Sequence, residues 1–377
     1  MFEYLPFYFF KTQNLPQNHL FANDGGLTFS DIGAGSNVDY SNAACVASFT
    51  HYDDDGLIDL LTGDCNLAEP AAGPPGFTAI PGPLRLYTNN GDRTFTRQTE
   101  LSLPDPTVDD QEQGFWMALS AGDLNNDSRT DIFATNFGTP VGQPHEMFLQ
   151  DINGNFTGVG ERFDLASMAP DFGWGSTIQD FNLDGRADLF LAGNFPIAGP
   201  IVSNPGYIFT NRSVDESSVE FDIDMLPGAP LVGRYSSGVA SGDFNNDGRV
   251  DLVVSNSGFF NFATIPPENT VDQPTLLINS SETNNNWLTI KLQGTESNRS
   301  GIGAIIDVQS GDLSQQRIVS GGGGFLSRDS VWQTFGVSPA DEMLSVRVTW
   351  PSGVVDQLNE VGTNQIITII EGSQPTE

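Results

Sequence analysis

The run DFNNDGRVD, Asp243 to Asp251, places Asp243, Asn245, Asp247 and Asp251 at positions 1, 3, 5 and 9, with Gly248 at position 6. Like charges at this spacing repel unless a cation lies between them. Alternate side chains of a tight loop converge on one point, glycine permits the sharp turn, and the Arg249 carbonyl at position 7 adds another oxygen. Hard oxygen donors in a flexible cage suit calcium and suit magnesium poorly. For a single loop, the alternative is an ordinary polar turn.

The frame recurs. DLNNDSRTD repeats it with Asp123, Asn125, Asp127, Arg129 and Asp131, and DFNLDGRAD with Asp180, Asn182, Asp184, Arg186 and Asp188. HYDDDGLID repeats it with one change, keeping Asp53, Asp55, Leu57 and Asp59 behind His51. The position-5 residues Asp55, Asp127, Asp184 and Asp247 are separated by 72, 57 and 63 residues. A metal spacing at a near-regular period is a stronger signal than any one copy. Imidazole is a poor calcium ligand, so the His51–Asp59 loop is expected to bind most weakly and His51→Asp to tighten it. Ser128 in place of glycine is a smaller perturbation.

The elements holding these loops read as strands. An EF-hand needs a Glu at position 12 between helices, whereas position 12 here is Thr62, Ala134, Leu191 or Val254. Short apolar runs flank each loop, CVASFT and LLTGD in the first, GVASG and LVVSN in the last, so each loop tips an antiparallel hairpin. Third strands follow in LRLYTNN, EMFLQD, YIFTN and TLLINS, and fourth strands in TFTRQTEL, NFTGVGERF and VEFDIDM. Four strands per unit of roughly sixty residues predict β-propeller blades.

With these motifs the chain resembles the FG-GAP/VCBS repeats of integrin-type propellers, over residues 18–283. The resemblance implies calcium in the hairpin between the first two strands of each blade, with ligand roles at the loop positions named above. HLFANDGGLTFSDIG, His19 to Gly33, matches only a third and fourth strand, a half blade without a loop. It either closes a small ring or follows blades lost through a truncated start, and residues 1–17 form a separate N-terminal segment.

From Asn284 the acidic spacing stops. GTESNRSGIGAIIDV, SGGGGFLS, SVRVTWPSG and NEVGTNQIITIIEG occur in the order seen in the ASPIC/UnbV domain. Residues 284–373 therefore resemble that domain, expected to be a small β-sandwich, and residues 374–377 are a tail. Repeats followed by this domain look like the cartilage acidic protein family. That resemblance implies an extracellular, acidic, calcium-binding protein without established catalytic activity. The expected fold class is all-β. The GGGG run (Gly321 to Gly324) lacks a phosphate-loop ending and reads as a flexible bend.

The formal charge of -33 argues against nucleic acid and anionic membrane as partners. Four divalent ions would add 8 and leave -25, so most acidity is surface charge. No segment has the length of a membrane-spanning helix, and MFEYLPFYFFKTQN makes a poor signal peptide. Cys45 and Cys65 each lie ten residues from Asp55, so a hairpin about that tip brings them face to face as a disulfide candidate. No nucleophile or acid/base motif stands outside the acidic loops. The function expected is an extracellular interaction or adhesion module with a protein or glycan partner. The alternative is a lectin-like propeller using Phe115, Trp116 and Trp174 as stacking platforms, and a polysaccharide-active enzyme ranks below it. Asn298, Arg299 and Trp350 to Gly353 either line a ligand surface or fix turns and fill the C-terminal core.

Overall fold

A computed structural model describes residues 18–38, 44–53, 55–64, 66–68, 78–80, 82–100, 114–136, 144–168, 173–193, 204–214, 219–228, 230–232, 234–257, 260–261, 268–269, 272–325 and 327–374. The N-terminal segment and Cys65 lie outside them.

Each acidic loop joins two strands that come into register at its mouth: Thr50 with Asp59, Gly122 with Asp131, Gln179 with Asp188, Gly242 with Asp251. Blade 1 runs through Ala44–Thr50, Asp59–Asp64, Leu84–Asn89 and Phe95–Glu100. Blade 2 runs through Trp116–Gly122, Asp131–Asn136, Glu146–Gln150 and Phe156–Gly158. Blade 3 runs through Gly175–Gln179, Asp188–Ala192, Tyr207–Asn211 and Phe221–Met225. All three are four-stranded antiparallel sheets with strands in chain order. Blade 4 has three strands, Tyr235–Gly242, Asp251–Ser257 and Thr275–Leu277, and among the described residues no fourth.

Second strands such as DIFATN and DLFLA are buried along their whole length because a blade is covered on both faces, which is why their apolar residues do not alternate. Three cores fill the space between blades. Leu61 and Leu86 meet Trp116 and Ile132, Phe133 and Met147 meet Leu189 and Phe209, and Phe181 and Phe190 meet Val239 and Leu252. First strands of successive blades pack side by side, but among the described residues no comparable contact joins the fourth to the first. The half blade is the hairpin Phe21–Gly25 with Thr28–Asp31. Leu20 and Val38, at either end of it, pack on Leu60, Tyr87 and Phe95 of blade 1.

The C-terminal residues form two sheets. One pairs Leu313–Ile318, Ile305–Ser310, Met343–Thr349 and Val355–Gly362; the other pairs Gln333–Val337, Asn286–Gln293 and Gln365–Ile370, the last two in parallel. Their shared core, including Leu288, Ile290, Ile306, Phe335, Val346 and Trp350, contains no propeller residue. Trp350 is buried with its indole donating to Asp356, and Asn298 closes a turn on Ile302 from both directions, so both serve the fold.

Between these sheets residues 320–325 and 327–330 leave the sandwich and run along the first strands of the blades. Ser48 Oγ donates to the Gly322 carbonyl (3.3 Å), and Leu119 N–H donates to the Gly323 carbonyl (2.8 Å). Phe325 lies against Trp174, just before blade 3, with ring centroids 4.3 Å apart. Asp329 accepts from Thr177 Oγ1 (2.9 Å), Ser241 N–H (2.9 Å) and Ser241 Oγ (2.8 Å), and Ser330 N–H donates to the Ser241 carbonyl (2.8 Å). One segment thus links four blades. The glycine run read as a flexible bend is its start: Gly323 has φ of +135°, and a Cβ there would stand 2.5 Å from the Leu119 oxygen. The close approach requires glycine.

Candidate cation-binding loops

The four loops share one strap to the sheet, and those of blades 2 to 4 share a fuller hydrogen-bond plan. At position 9 the carboxylate straps the loop to the sheet. Asp59, Asp131, Asp188 and Asp251 each accept the N–H of position 2 on one oxygen and an N–H from the end of the third strand on the other, all at 2.7–2.9 Å. At position 1, Asp123, Asp180 and Asp243 each accept the N–H groups of positions 5 and 6, at 2.8–3.1 Å. Asn126, Leu183 and Asn246 at position 4 take left-handed backbone (φ 57–60°), as does position 6. Ser128 adopts that conformation (φ 63°) without being glycine, a strain on the order of 1 kcal/mol.

Position 5 carries a feature the spacing did not reveal. Arg129, Arg186 and Arg249, read from the sequence only as carbonyl donors, turn their guanidinium groups onto Asp127, Asp184 and Asp247 of their own loops. Their Nε–H groups donate to the carbonyls of Gln150, Ser213 and Asn279 at 2.6–3.2 Å, so each arginine also ties its loop to the neighbouring strand end. The signal available was arginine at the same position in three of four copies.

Burial pushes the Asp123 carboxyl up to about 6 and Asp180 to about 7, with neighbouring carboxylates adding to the rise and Arg317 of the C-terminal domain opposing it. Burial likewise raises Asp59 to about 6 and lifts Asp131 and Asp188 well above the usual range. Blade 4 differs: Asp243 is only partly buried, and Asp247 is held low; partial burial raises it, but the Arg249 amide, Asn245 and the Arg249 guanidinium outweigh that.

Among the described residues no three imidazole, thiol or carboxylate groups gather into a metal cluster. Each loop of blades 2 to 4 carries carboxylates at positions 1, 5 and 9 and a carboxamide at position 3, without gathering the three carboxylates on one point. Asn125, Asn182 and Asn245 donate through Nδ2 to the aspartate two residues on, at 2.7–3.2 Å. In blade 1, His51 is buried and its Nε2 donates to the Gly303 carbonyl at 2.8 Å. An aspartate there would lose that bond and face a carbonyl oxygen, so the expectation that His51→Asp tightens the loop is replaced by weaker packing.

The C-terminal sheets pack against part of this face. Gly336 N–H donates to Asp180 Oδ2 at 3.0 Å, and a Cβ on Gly336 would come 2.2 Å from the Leu183 backbone. Trp287 lies on Gly248 and Ile58 on Gly303, each where a Cβ would come within 2.1 Å. Gly336→Val is therefore expected to pry the domain from blade 3 at a cost of about 1–3 kcal/mol. A denaturation midpoint equal to wild type would show that the contact contributes nothing.

The aromatic residues named as stacking platforms are packed. Phe115 and Trp116 are buried, and Trp174 is covered by Phe325. Cys45 stands in a disulfide.

The FG-GAP-like repeat family matches residues 51–134 and 180–254, and the ASPIC and UnbV family matches residues 294–376. The chain is 28% identical to human cartilage acidic protein 1 over 307 residues, 78% of this chain and 41% of that protein. It is 27% identical to Gallus gallus integrin alpha-8 over 167 residues, 43% of this chain and 15% of that one. It is also 26% identical to human phosphatidylinositol-glycan-specific phospholipase D over 214 residues, 51% of this chain and 24% of the enzyme. The chain spans about two fifths of the length of the cartilage acidic proteins it matches.

Proposed function

From a chain that carries FG-GAP-like repeats followed by an ASPIC and UnbV domain, we propose a non-enzymatic, calcium-binding module for interactions outside the cell. The observation that supports calcium is the pairing of buried carboxylates, Asp123 with Asp131 and Asp180 with Asp188, in loops whose remaining donors are oxygens. Like charges buried together are costly without a cation. Asp123, Asn125, Asp127, Asp131 and the Arg129 carbonyl would hold one ion, and the corresponding positions of blades 3 and 4 would hold others. The blade 1 loop, with Asp53, Asp55, Asp59 and the Leu57 carbonyl, would hold the weakest. Bound calcium would supply charge neutralisation and rigidity.

The disulfide at Cys45 and the acidic surface support an exported location. Among the described residues no helix is long and apolar enough to cross a membrane. A protein partner is the favoured reading, because the aromatics a glycan would stack on are packed.

Calorimetric titration of chelator-stripped protein tests the calcium reading. Calcium is expected to bind and magnesium to bind poorly. Asp184→Ala and Asp247→Ala should each remove one ion, and a site held a hundredfold above its Kd should lend about 2.7 kcal/mol. A flat titration would end the reading.

A further inference from the structure

The rear face of blade 4, turned away from blade 3, repeats an apolar pattern that each earlier blade uses to bury its successor. Three positions define it: loop position 2, the second-strand residue two past position 9, and its partner on the third strand. In blade 1 these are Tyr52, Leu61 and Leu86; in blade 2, Leu124, Phe133 and Met147; in blade 3, Phe181, Phe190 and Ile208. All nine pack in the cores between blades. In blade 4 the same positions hold Phe244, Val253 and Leu276, with Val253 again facing Leu276, and they are 68%, 39% and 44% exposed. A groove of about 320 Å³ runs beside them, walled on its other side by Thr289, Trp332 and Thr334.

The opposite end of the blade series carries a second uncovered apolar sheet face. In the N-terminal hairpin Phe29 lies across from Asn23, which puts it on the same face as Phe21. Phe21 and Phe29 are 59% and 60% exposed, while residues flanking the hairpin pack on blade 1. A sheet face built to receive another sheet stands at one end, and an uncovered sheet face stands at the other.

We propose that the rear face of blade 4 binds the N-terminal hairpin of a second copy of this chain, head to tail. The contact continues the blade-to-blade interface already made three times within the molecule. A head-to-tail contact is heterologous and grows beyond a dimer until it closes. Its driving force is apolar burial between two chains of formal charge -33. Salt therefore strengthens it by screening the repulsion, the opposite of an ion-paired interface.

Sedimentation velocity of the full chain tests this. The expected result is a mass that rises with concentration, and more steeply at 0.5 M than at 0.05 M NaCl, both ordinary ionic strengths for about this degree of screening. Val253→Lys and Phe29→Lys should each weaken association about tenfold or more, with unchanged circular dichroism because both side chains are exposed. Mixed in equal amounts, the two variants should form dimers and nothing larger, since one intact face of each kind remains. Phe244→Lys, on the loop, replaces Val253→Lys should that variant misfold. A wild-type chain monomeric up to roughly 100 µM, where a Kd of 1 µM would leave little monomer, overturns the proposal. So does a mixture that stays monomeric.

Discussion

In chelator, raising the pH from about 5 to 8 is expected to lower the melting temperature of this protein by roughly 5–10 °C. Asp59 and Asp123 at about 6 and Asp180 at about 7 all sit above the unfolded value of 3.8. Asp131 and Asp188 are raised as well. The folded chain then binds more protons than the unfolded chain across this window, so deprotonation favours unfolding. The stabilisation is complete below the unfolded value and is lost as pH rises through 6 to 7. Glu371 works in the opposite sense at the acid end. Although burial opposes it, its carboxyl is held at about 2 by the hydroxyls of Ser297 and Ser352 and by the amides of Ser297 and Thr295. The stability it contributes is present above its unfolded value of 4.5 and is lost as pH falls toward 2. If calcium binds as proposed, the upper slope should flatten, because the metal would hold the loop carboxylates ionised in the folded state. A chelated protein equally stable at pH 5 and 8 would mean these carboxylates find other charge compensation.

Asp329→Ala should cost about 2–4 kcal/mol, since it leaves the Ser241 amide and hydroxyl and the Thr177 hydroxyl without the acceptor they share. Asp329→Asn keeps one acceptor oxygen and should cost less. The fluorescence of Trp174 distinguishes loss of the segment that links the blades from general unfolding, because Phe325 of that segment covers its ring. A red-shifted emission, absent in a Trp174→Phe control, should appear at denaturant concentrations where far-UV circular dichroism is still native. If emission and circular dichroism shift together with an unchanged midpoint, the segment holds nothing in place.

The hairpins and loop positions were legible in the sequence because both are local: a period of two along a strand, and nine residues around a turn. The third strands were legible for the same reason. What eluded the sequence were contacts between residues far apart in the chain. Nothing near His51 points to the Gly303 carbonyl, 252 residues away. Nothing in GGGG says that it must pass within bonding distance of Ser48 and Leu119, because glycine marks close approach without naming the neighbour. For blade 4 the sequence offers no fourth strand after TLLINS, and among the described residues there is none. Residues after Leu277 supply Asn279, whose amide and side chain bind Asp251 and the Phe181 and Val250 carbonyls, and then feed the C-terminal sheet.

The segment that links the four blades also sets a schedule for synthesis. Ser241 leaves the ribosome 88 residues ahead of the Asp329 that binds it, a lag of roughly 4–18 s at the usual rate of elongation. Throughout that interval the Ser241 and Leu119 amides lack the acceptors the segment brings, while Thr177 Oγ1 and Gln179 Nε2 can still donate to Ser241 Oγ, at 3.2 and 2.9 Å. Docking of this segment is thus a late, near-terminal event, and a chain that stalls before Gly322 holds its four blades by the cores between neighbours, without the one segment that links all four.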